Sequence, residues 1–320
     1  MIKTIESIGE FGLIEQIQTW CQKAYRSPQT DQSIGDDTAL WNPTPGHQSL
    51  LTTDVQVEGQ HFLPQMFTQP EWAYLVGKRC ATVNLSDIAA MAGTPRIALI
   101  SLGLRKTLEL DILKAWYRGL LDAFDETQTQ VVGGNLSCTQ GPVFMSVTLI
   151  GEAPAHQAVL RSGSQIGDHI GLIGHVGCAK AGLESLHHRF QNTSSELSPS
   201  TCSTLERAYL EPRAYLHAAR SMAPYINAMM DVSDGLGADL QHLCRAAGLG
   251  ARLDFAEIPA SQALREWAKR QQADLYMDYL LAPSDDYALL FSAPDKAPIE
   301  RQIQPLPEYN LHWVGRCMAE

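Results

Sequence analysis

The sequence predicts a mixed α/β protein of two domains, an α+β domain over residues 1–154 and an α/β domain over residues 155–320. Three observations favour this fold class. The length of 320 residues is that of roughly two ordinary domains. The apolar content of 45% is sufficient for packed cores. Helical and strand-like patterns also alternate along the chain, and near residue 155 they change to strand, glycine turn and helix in succession.

The first half of the chain contains alternating helical and strand patterns. Apolar residues at helical spacing, beginning with Ile5 and Ile8, predict a helix over 5–25, and similar patterns predict helices over 71–92 and 107–126. Between and after these helices, strands are predicted for the segments SLLTTDVQVEG, RIALISLGL, QTQVVGG and VFMSVTLIGEA. This mixture predicts the α+β class for the N-terminal domain.

The second half begins with HIGLIGHVG and CAKAGLESLHH, which predict a strand, a glycine-rich turn and a helix. The Ser/Thr-rich segment 192–204 predicts an exposed mobile loop, followed by a helix over 205–222. Residues 228–250 predict a strand, a turn at DVSDG and a helix. Further strands are predicted for ARLDFAEIP, YALLFSAP and LHWVGRC.

Charge limits the classes of partner. With 24 Lys and Arg against 35 Asp and Glu, the net charge is -11. This balance argues against a protein whose affinity comes from neutralising nucleic-acid phosphates or an anionic membrane. Phosphorylated small molecules remain open as substrates, because bound metal ions can supply positive charge.

The sequence also indicates a compartment. The longest apolar runs are too short for a membrane-spanning helix, and the N-terminus carries acidic residues instead of a signal core. The number of cysteines, 7, is odd, and their spacing includes no CxxC pair. We therefore expect neither a disulfide framework nor a zinc site, and we expect a reducing cytoplasm.

Common catalytic motifs are missing from the sequence. It contains no GxxxxGK[ST] loop, HExxH, GxSxG or protein-kinase signature. Gly171, Gly174 and Gly177 have GxxGxxG spacing, which differs from the dinucleotide fingerprint and is typical of a strand-to-helix turn.

Five carboxylates stand at the ends of apolar segments, outside any solvated charge run. Burial of such a group costs several kcal/mol unless it is paired. Few Lys or Arg residues lie beside them, so a hard divalent cation such as Mg²⁺ is the natural partner, with substrate phosphates as further ligands. The five are Asp37, Asp54, Asp87, Asp231 and Asp234.

Each of these residues also has a purely structural interpretation. Asp37 could cap a helix or stabilise an Asx turn, and Asp231 with Asp234 could form a plain turn and helix cap. Asp87 could be an ordinary polar residue near a helix end. His61, after a turn, could be structural, and Arg161, near the domain boundary, could be either a solvated loop residue or a phosphate ligand.

The order and spacing of several motifs resemble those of the thiamine-monophosphate kinase family. The motifs run from about residue 9 to 315 and are GEFGLI, IGDDTAL, TTDVQVEGQHF, VNLSDIAAMAG, VVGGN, SVTLIGEA, LRSGSQIGD, MDVSDGLGADLQH and SDDYALLF. The combination of TTDxxxEGxHF and NLSDxAAMxG distinguishes this family from its relatives, aminoimidazole ribonucleotide synthetase and selenophosphate synthetase.

The resemblance implies an ATP-dependent enzyme that transfers the γ-phosphoryl group of ATP to thiamine monophosphate, giving thiamine diphosphate. It implies a PurM-like two-domain architecture, whose N-terminal sheets pair across a homodimer and whose nucleotide and substrate meet in a cleft between the domains. It also implies several Mg²⁺ ions and no side chain acting as acid or base.

Site residues follow from the resemblance position by position. The implied Mg²⁺ ligands are Asp37, Thr52, Thr53, Asp54, Asp87, Asn135, Asp231 and Asp234. The implied ATP contacts are Tyr117, Gly133, Gly134, Arg161 and Ser233, and the implied substrate contacts are His61 and Asp285.

Three features depart from the family pattern. Asn135 replaces a ligating Asp in VVGGD, so one negative charge is lost, and PSDDYA replaces GGEDYE, so Asp285 replaces a longer Glu. The family usually continues after the last strand into a segment with an aromatic that stacks on the thiamine rings, whereas this sequence ends at Glu320. Two alternatives therefore stay open: a related enzyme with another phosphorylated acceptor, and a non-catalytic protein that binds thiamine phosphates or ATP.

Overall fold

The computed structural model describes residues 3–193, 197–306 and 309–320. The chain forms two compact units, one of Met1–Ile88 with Thr94–His156 and the other of Ala89–Gly93 with Gln157–Glu320. Each unit combines helices with a β-sheet, so the predicted mixed fold class is confirmed.

The first unit is a four-stranded sheet with helices packed on one face. The helices are α1 (Ile5–Cys21), α2 (Pro70–Ala90) and α3 (Leu110–Glu126). The strands are β1 (Thr30–Gln32), β2 (Leu40–Trp41), β3 (His47–Val57), β4 (Thr94–Leu104), β5 (Gln130–Cys138) and β6 (Phe144–Pro154), and a 3-10 turn covers Pro64–Phe67. The order in the sheet is β3-β6-β4-β5, and β1 pairs with β2 separately. Strand β4 runs parallel to β5, whereas both pairs that involve β6 are antiparallel.

Helices α2 and α3 cross at two glycines. A Cβ atom at Gly77 would lie 2.0 Å from the Trp116 carbonyl oxygen, and one at Gly119 would lie 1.9 Å from the Tyr74 carbonyl oxygen. Both distances are far below van der Waals contact, so any side chain at either position would push the helices apart. The crossing therefore fixes α2, the helix that carries Asp87, against α3.

An ion pair joins three strand ends of this sheet. The Glu58 carboxylate, after β3, accepts two hydrogen bonds from Arg105, which follows β4, and one of 2.9 Å from the Val143 N–H, which precedes β6. Burial alone would raise the pKa of Glu58, but the bonds from Arg105 and Val143 and the Arg105 charge outweigh it, so the pKa lies below its usual value. The ionised carboxylate thus stabilises the folded state.

We expect Glu58→Gln to lower the free energy of unfolding at pH 7 by about 2 kcal/mol, because a charged hydrogen-bond acceptor is lost. The Arg105 side chain is 33% exposed, so solvent screens part of the pair. Because the folded-state pKa is lowered, the contribution of Glu58 is present above the unfolded-state pKa and is lost as pH falls through the folded-state pKa. Urea unfolding at pH 7 and in acid measures both effects.

The control is Glu126→Gln. Glu126 is exposed, so this substitution removes the same single negative charge as Glu58→Gln without changing the contacts of Glu58 with Arg105 and Val143. An unfolding free energy that differs from wild type by the same amount at pH 7 and in acid would contradict the role of the Glu58 charge.

The opposite face of the sheet carries exposed apolar side chains. Leu51 is 71% exposed, Val55 42%, Phe144 37% and Leu99 36%. Residues paired across a sheet share a face, and one such row runs Val55, Ser146, Ser101 and Asn135. We call this surface, which is formed by Leu51, Thr53, Val55, Leu99, Phe144 and their row neighbours, the outer sheet face.

The second unit is a five-stranded sheet with helices around it. The strands are β7 (His169–Ile173), β8 (Ala228–Val232), β9 (Gly250–Leu253), β10 (Ala288–Ala293) and β11 (Leu311–Met318). The helices are α4 (Cys178–Phe190), α5 (Pro199–Leu210), α6 (Leu216–Met222), α7 (Leu236–Ala247), α8 (Gln262–Gln271) and α9 (Lys296–Ile303), with 3-10 turns at Ala223–Tyr225 and Phe255–Glu257 and a π-helical turn at Tyr276–Leu280. The order is β8-β10-β7-β11-β9, and neighbouring strands are antiparallel.

Two predictions for this half are wrong in part. Residues 199–204 of the predicted loop 192–204 are helical, because the Ser198 hydroxyl accepts the Thr201 N–H and Pro199 occupies the first turn of α5; residues 194–196 of that loop lie outside the described residues. The single helix predicted over 205–222 is broken into α5 and α6 around Pro212, and the predicted strand ARLDFAEIP ends at Leu253.

The seven cysteines all lie in the described part of the chain and form no disulfide; Cys138 is exposed, whereas the other six are buried. Burial raises the pKa of the Cys21 thiol to about 12 and that of Cys178 to about 11, so these thiols are poor nucleophiles at neutral pH. Among the described residues, no helix has both the length and the apolar content needed to span a bilayer.

Candidate functional site

In the first unit, strand β3 and helix α2 bring three predicted ligands together. Thr52 and Asp54 share the inner face of β3 because side chains alternate along a strand. The Thr52 hydroxyl donates a short hydrogen bond to the Asp87 carboxylate on α2. Asp54 lies two residues beyond Thr52 on that face, and burial together with the Asp54 charge raises the pKa of Cys80 on α2. The result is a group of hard oxygen donors from two elements.

Helix α2 buries an unusual number of polar side chains near this group. Arg79, Asn84 and Ser86 are each at most 2% exposed. The Asn84 side-chain N–H donates to the Cys80 carbonyl oxygen at 3.0 Å, while its Oδ1 atom has no hydrogen-bond partner among the described residues. Sequence reasoning singled out Asp87 in this helix but none of these three side chains, because burial of a polar residue on a helix depends on packing against distant segments.

Two other predicted ligands lie on the opposite surface. Thr53 shares the outer sheet face, where its hydroxyl donates to the Val147 carbonyl oxygen at 3.1 Å. Asn135 is exposed and belongs to the row that contains Val55. The structure therefore separates the Thr53 and Asn135 side chains from that of Asp54 across the thickness of one sheet, and their role as ligands stays a prediction.

Gly133 and Gly134 lie in the edge strand β5, directly before Asn135. A Cβ atom at Gly134 would lie 1.8 Å from the Ile100 carbonyl oxygen, so only glycine permits this approach of β5 to β4. The predicted close contact of these glycines with ATP is compatible with an open strand edge, and it stays a prediction.

The remaining predicted residues of this unit have different environments. Asp37 is exposed in a turn, where its N–H donates to the Asp36 carboxylate at 2.8 Å. His61 is exposed, and its Nδ1 atom accepts the Val57 N–H at 3.1 Å. Tyr117, the predicted nucleotide contact, is only 2% exposed, and its ring packs 5.4 Å from that of Trp20. Burial raises the pKa of Tyr117 well above its ordinary value.

In the second unit, the turn between β8 and α7 carries three predicted residues. Asp231 is the last residue but one of β8 and is 3% exposed, Ser233 is half-buried and Asp234 is exposed. The buried Asp239 carboxylate accepts the Asp234 N–H at 3.0 Å, which closes the turn from within α7. Asp239 was missed by sequence reasoning, although an acidic residue in the first turn of a helix is a known capping signal.

A second acidic residue was missed beside Asp285. Asp285 is half-buried just before β10, and its neighbour Asp286 accepts the Gly177 N–H at 2.6 Å and the Ala179 N–H at 3.0 Å. The glycine-rich turn before α4 is therefore capped by a side chain of its own unit. Arg161 is exposed in the loop before β7.

The donors suit Mg²⁺ in kind. Over residues 3–193, 197–306 and 309–320, no three Asp, Glu, His or Cys side chains form a ready-made metal-binding group. Magnesium, however, commonly uses one or two carboxylates together with water and substrate phosphates. The Thr52 hydroxyl and the Asp87 carboxylate, with Asp54 two residues along β3, are oxygen donors of that kind.

Comparison with known proteins gives a consistent result. The family model described as AIR synthase related protein, N-terminal domain, matches residues 35–153, and the corresponding C-terminal domain model matches residues 165–316. The thiamine-monophosphate kinase of Aquifex aeolicus (strain VF5) is 34% identical over 290 residues, which are 91% of this chain and 87% of the relative.

Solved structures agree with this comparison. The thiamine-monophosphate kinase of Stenotrophomonas maltophilia K279a superposes with a TM-score of 0.82 at 29% identity, covering 98% of this chain and 95% of that one. The structure of AaThiL complexed with AMPPCP and TMP has a TM-score of 0.75 at 32% identity, covering 99% of this chain and 93% of that one.

Proposed function

Because this chain belongs to the thiamine-monophosphate kinase family of AIR synthase related proteins, we propose that it transfers the γ-phosphoryl group of ATP to the phosphate of thiamine monophosphate. The observation that carries the proposal is the donor group of Thr52, Asp54 and Asp87, in a chain whose relative AaThiL is solved with AMPPCP and TMP. The products are thiamine diphosphate and ADP.

The chemistry requires alignment and charge neutralisation more than proton transfer. The acceptor phosphate is already ionised at neutral pH, so no side chain has to act as a general base. In the first unit Asp54 and Asp87 with the Thr52 hydroxyl, and in the second unit Asp231 and Asp234, would hold Mg²⁺ ions, which when bound supply positive charge to the phosphates. His61 and Asp285 would orient the acceptor, and the open edge at Gly133 and Gly134 would admit the nucleotide phosphates.

We also infer that the enzyme works as a homodimer through the outer sheet face. Leu51, Val55, Leu99 and Phe144 expose apolar surface on that face, and an apolar patch of this kind is a recurrent mark of an interface. Polar hydroxyls lie between them, from Thr53, Ser146 and Thr148. The free state of all seven cysteines supports a reducing compartment, the cytoplasm.

The proposal is tested by incubating the protein with ATP, Mg²⁺ and thiamine monophosphate and separating the products by chromatography. We expect thiamine diphosphate and ADP in equal amounts. Parallel reactions with other phosphorylated acceptors test the related-enzyme alternative, and turnover only with one of those would overturn the proposal. Calorimetric binding of thiamine monophosphate without product at high Mg²⁺ would instead show a non-catalytic binding protein.

Asn135→Asp is expected to lower the Mg²⁺ concentration needed for half-maximal activity without reducing turnover. The physical reason is that a carboxylate restores a negative charge where the amide offers only a neutral oxygen. Activity titrated against Mg²⁺ measures the effect, with Asn42→Asp as the control, since Asn42 bonds Asp31 away from the outer sheet face. A large loss of turnover in Asn135→Asp would contradict its assignment as a ligand.

A further inference from the structure

Two carboxylates of the second unit, the buried Asp239 and the partly buried Asp286, have no role in the proposed chemistry, yet each holds a turn that carries a predicted site residue. Asp286 lies directly after Asp285, and Asp239 caps the turn of Ser233 and Asp234. Each carboxylate accepts hydrogen bonds from backbone N–H groups of its own unit. Asp239 is only 1% exposed.

The first of these carboxylates ties the segment before β10 to the first turn of α4. Asp286 accepts the N–H groups of Gly177 and Ala179 with separate oxygen atoms, and the Ser284 hydroxyl accepts the Lys180 N–H at 3.3 Å. Residues on both sides of Asp285 are therefore bonded to three backbone N–H groups of one helix start. We call Ser284, Asp286 and these N–H groups the α4 clamp.

The other end of the same segment is fixed to β8. Tyr287 has a left-handed φ of 56°, which is unfavourable for a residue with a side chain, and its N–H donates to the Val232 carbonyl oxygen at 2.8 Å. A Cβ atom at Gly235 would lie 2.1 Å from the Ala282 carbonyl oxygen, so the preceding loop also packs closely on the turn before α7. The backbone at Asp285 consequently has little freedom.

Burial and hydrogen bonding act in opposite directions on the Asp286 charge in the α4 clamp. Burial raises the pKa of Asp286 to about 6, although hydrogen bonds from Ser284, Ala179 and Gly177 favour the charged form. The hydrogen-bond donors that bind it are neutral, so part of the desolvation cost of the ionised carboxylate stays uncompensated. Such local violations are characteristic of residues that serve a site.

We propose that Asp286 and Asp239 are positioning residues for different substrates. Asp286 holds Asp285 toward the acceptor, and Asp239 holds Ser233 and Asp234 toward the nucleotide. This inference rests on the proposed function, because it assigns Asp285 to the acceptor side. Ser284 assists Asp286 in positioning Asp285. It occupies a position where the family pattern has glycine, and its hydroxyl accepts the Lys180 N–H, a hydrogen bond that glycine cannot make.

The test is a crossed kinetic comparison of Asp286→Asn and Asp239→Asn. We expect Asp286→Asn to raise the KM for thiamine monophosphate at least tenfold while the KM for ATP changes less than threefold. We expect the reverse for Asp239→Asn, with a higher Mg²⁺ requirement as well. The amide keeps one acceptor oxygen and presents an NH₂ group where a second acceptor is needed, so the turns loosen without a change in size.

A matched control is Glu206→Gln, because Glu206 is also buried in this unit and accepts bonds from Ser185 and Arg189, away from both turns. It should lower Tm and leave both KM values unchanged. If Asp286→Asn does not fold, Ser284→Ala is measured instead and should shift only the acceptor KM, in the same direction.

Equal changes of both KM values in each variant, or a fall in Tm without any change in KM, would overturn the inference. A wild-type enzyme that fails to phosphorylate thiamine monophosphate would overturn the proposed function itself, before any variant is compared. The two failures are therefore distinguishable.

Discussion

Asp54→Asn is expected to lower kcat/KM by about a thousandfold while leaving the fold intact. The amide removes one negative charge from the oxygen donors shared by β3 and α2, and charge stabilisation at transferring phosphates is the main source of catalysis in this chemistry. Asp54 is half-buried on a strand whose pairing uses backbone groups, so the ladder with β6 does not depend on the carboxylate. Steady-state assays at saturating Mg²⁺ give the size of the loss.

The control for this variant is Asp122→Asn. Asp122 lies on α3 and accepts the Tyr74 hydroxyl at 2.9 Å, so the substitution removes an equal charge from the same unit without touching the donor group. Circular dichroism and Tm should match wild type for both variants. Rates within a few-fold of wild type for Asp54→Asn would exclude Asp54 as a ligand in the reaction.

The double substitution Leu51→Asp with Val55→Asp is expected to produce monomers. Two carboxylates in the middle of an apolar contact must be desolvated without partners, so the dissociation constant should rise at least about a hundredfold. Activity should fall with it, because Asn135 and the neighbouring glycines, which are the predicted nucleotide contacts, stand in the same strand row or next to it. Light scattering and assays at several protein concentrations measure both quantities.

The control is Ile166→Asp, which charges an apolar side chain that is 67% exposed in the second unit, outside the outer sheet face. It should leave mass and activity unchanged. A wild-type protein that is monomeric at the assay concentration, or a double variant with unchanged mass, would refute the dimer.

Local periodicity accounts for the parts of the site that the sequence could predict. The alternation in SLLTTDVQVEG puts Thr52 and Asp54 on one face of a strand, as observed in β3, and the helical pattern of VNLSDIAAM places Asp87 on α2. These predictions depend on neighbours within a few residues. They needed no knowledge of how distant segments pack.

Distant pairing accounts for most of what the sequence did not predict. Asp286 binds the N–H group of Gly177, which is 109 residues earlier in the chain, and no local pattern distinguishes Asp286 from the adjacent Asp285. The position of Asn135 on the outer sheet face likewise depends on the pairing of β5 with β4, which has a register shift between Ala98 and Leu99. The start of α5 is different: the Ser-Pro capping signal was present, but it was outweighed by the polar composition around it.

The distribution of thiols gives the molecule a single natural attachment point. Cys138 is exposed at the end of β5, whereas the other six cysteines are buried and the raised pKa values of Cys21 and Cys178 keep their sulfurs protonated. A maleimide fluorophore offered to the folded enzyme should therefore label one position per chain. Since that position lies three residues beyond Asn135, its emission would test for the proposed nucleotide binding and the proposed dimer without any engineered cysteine.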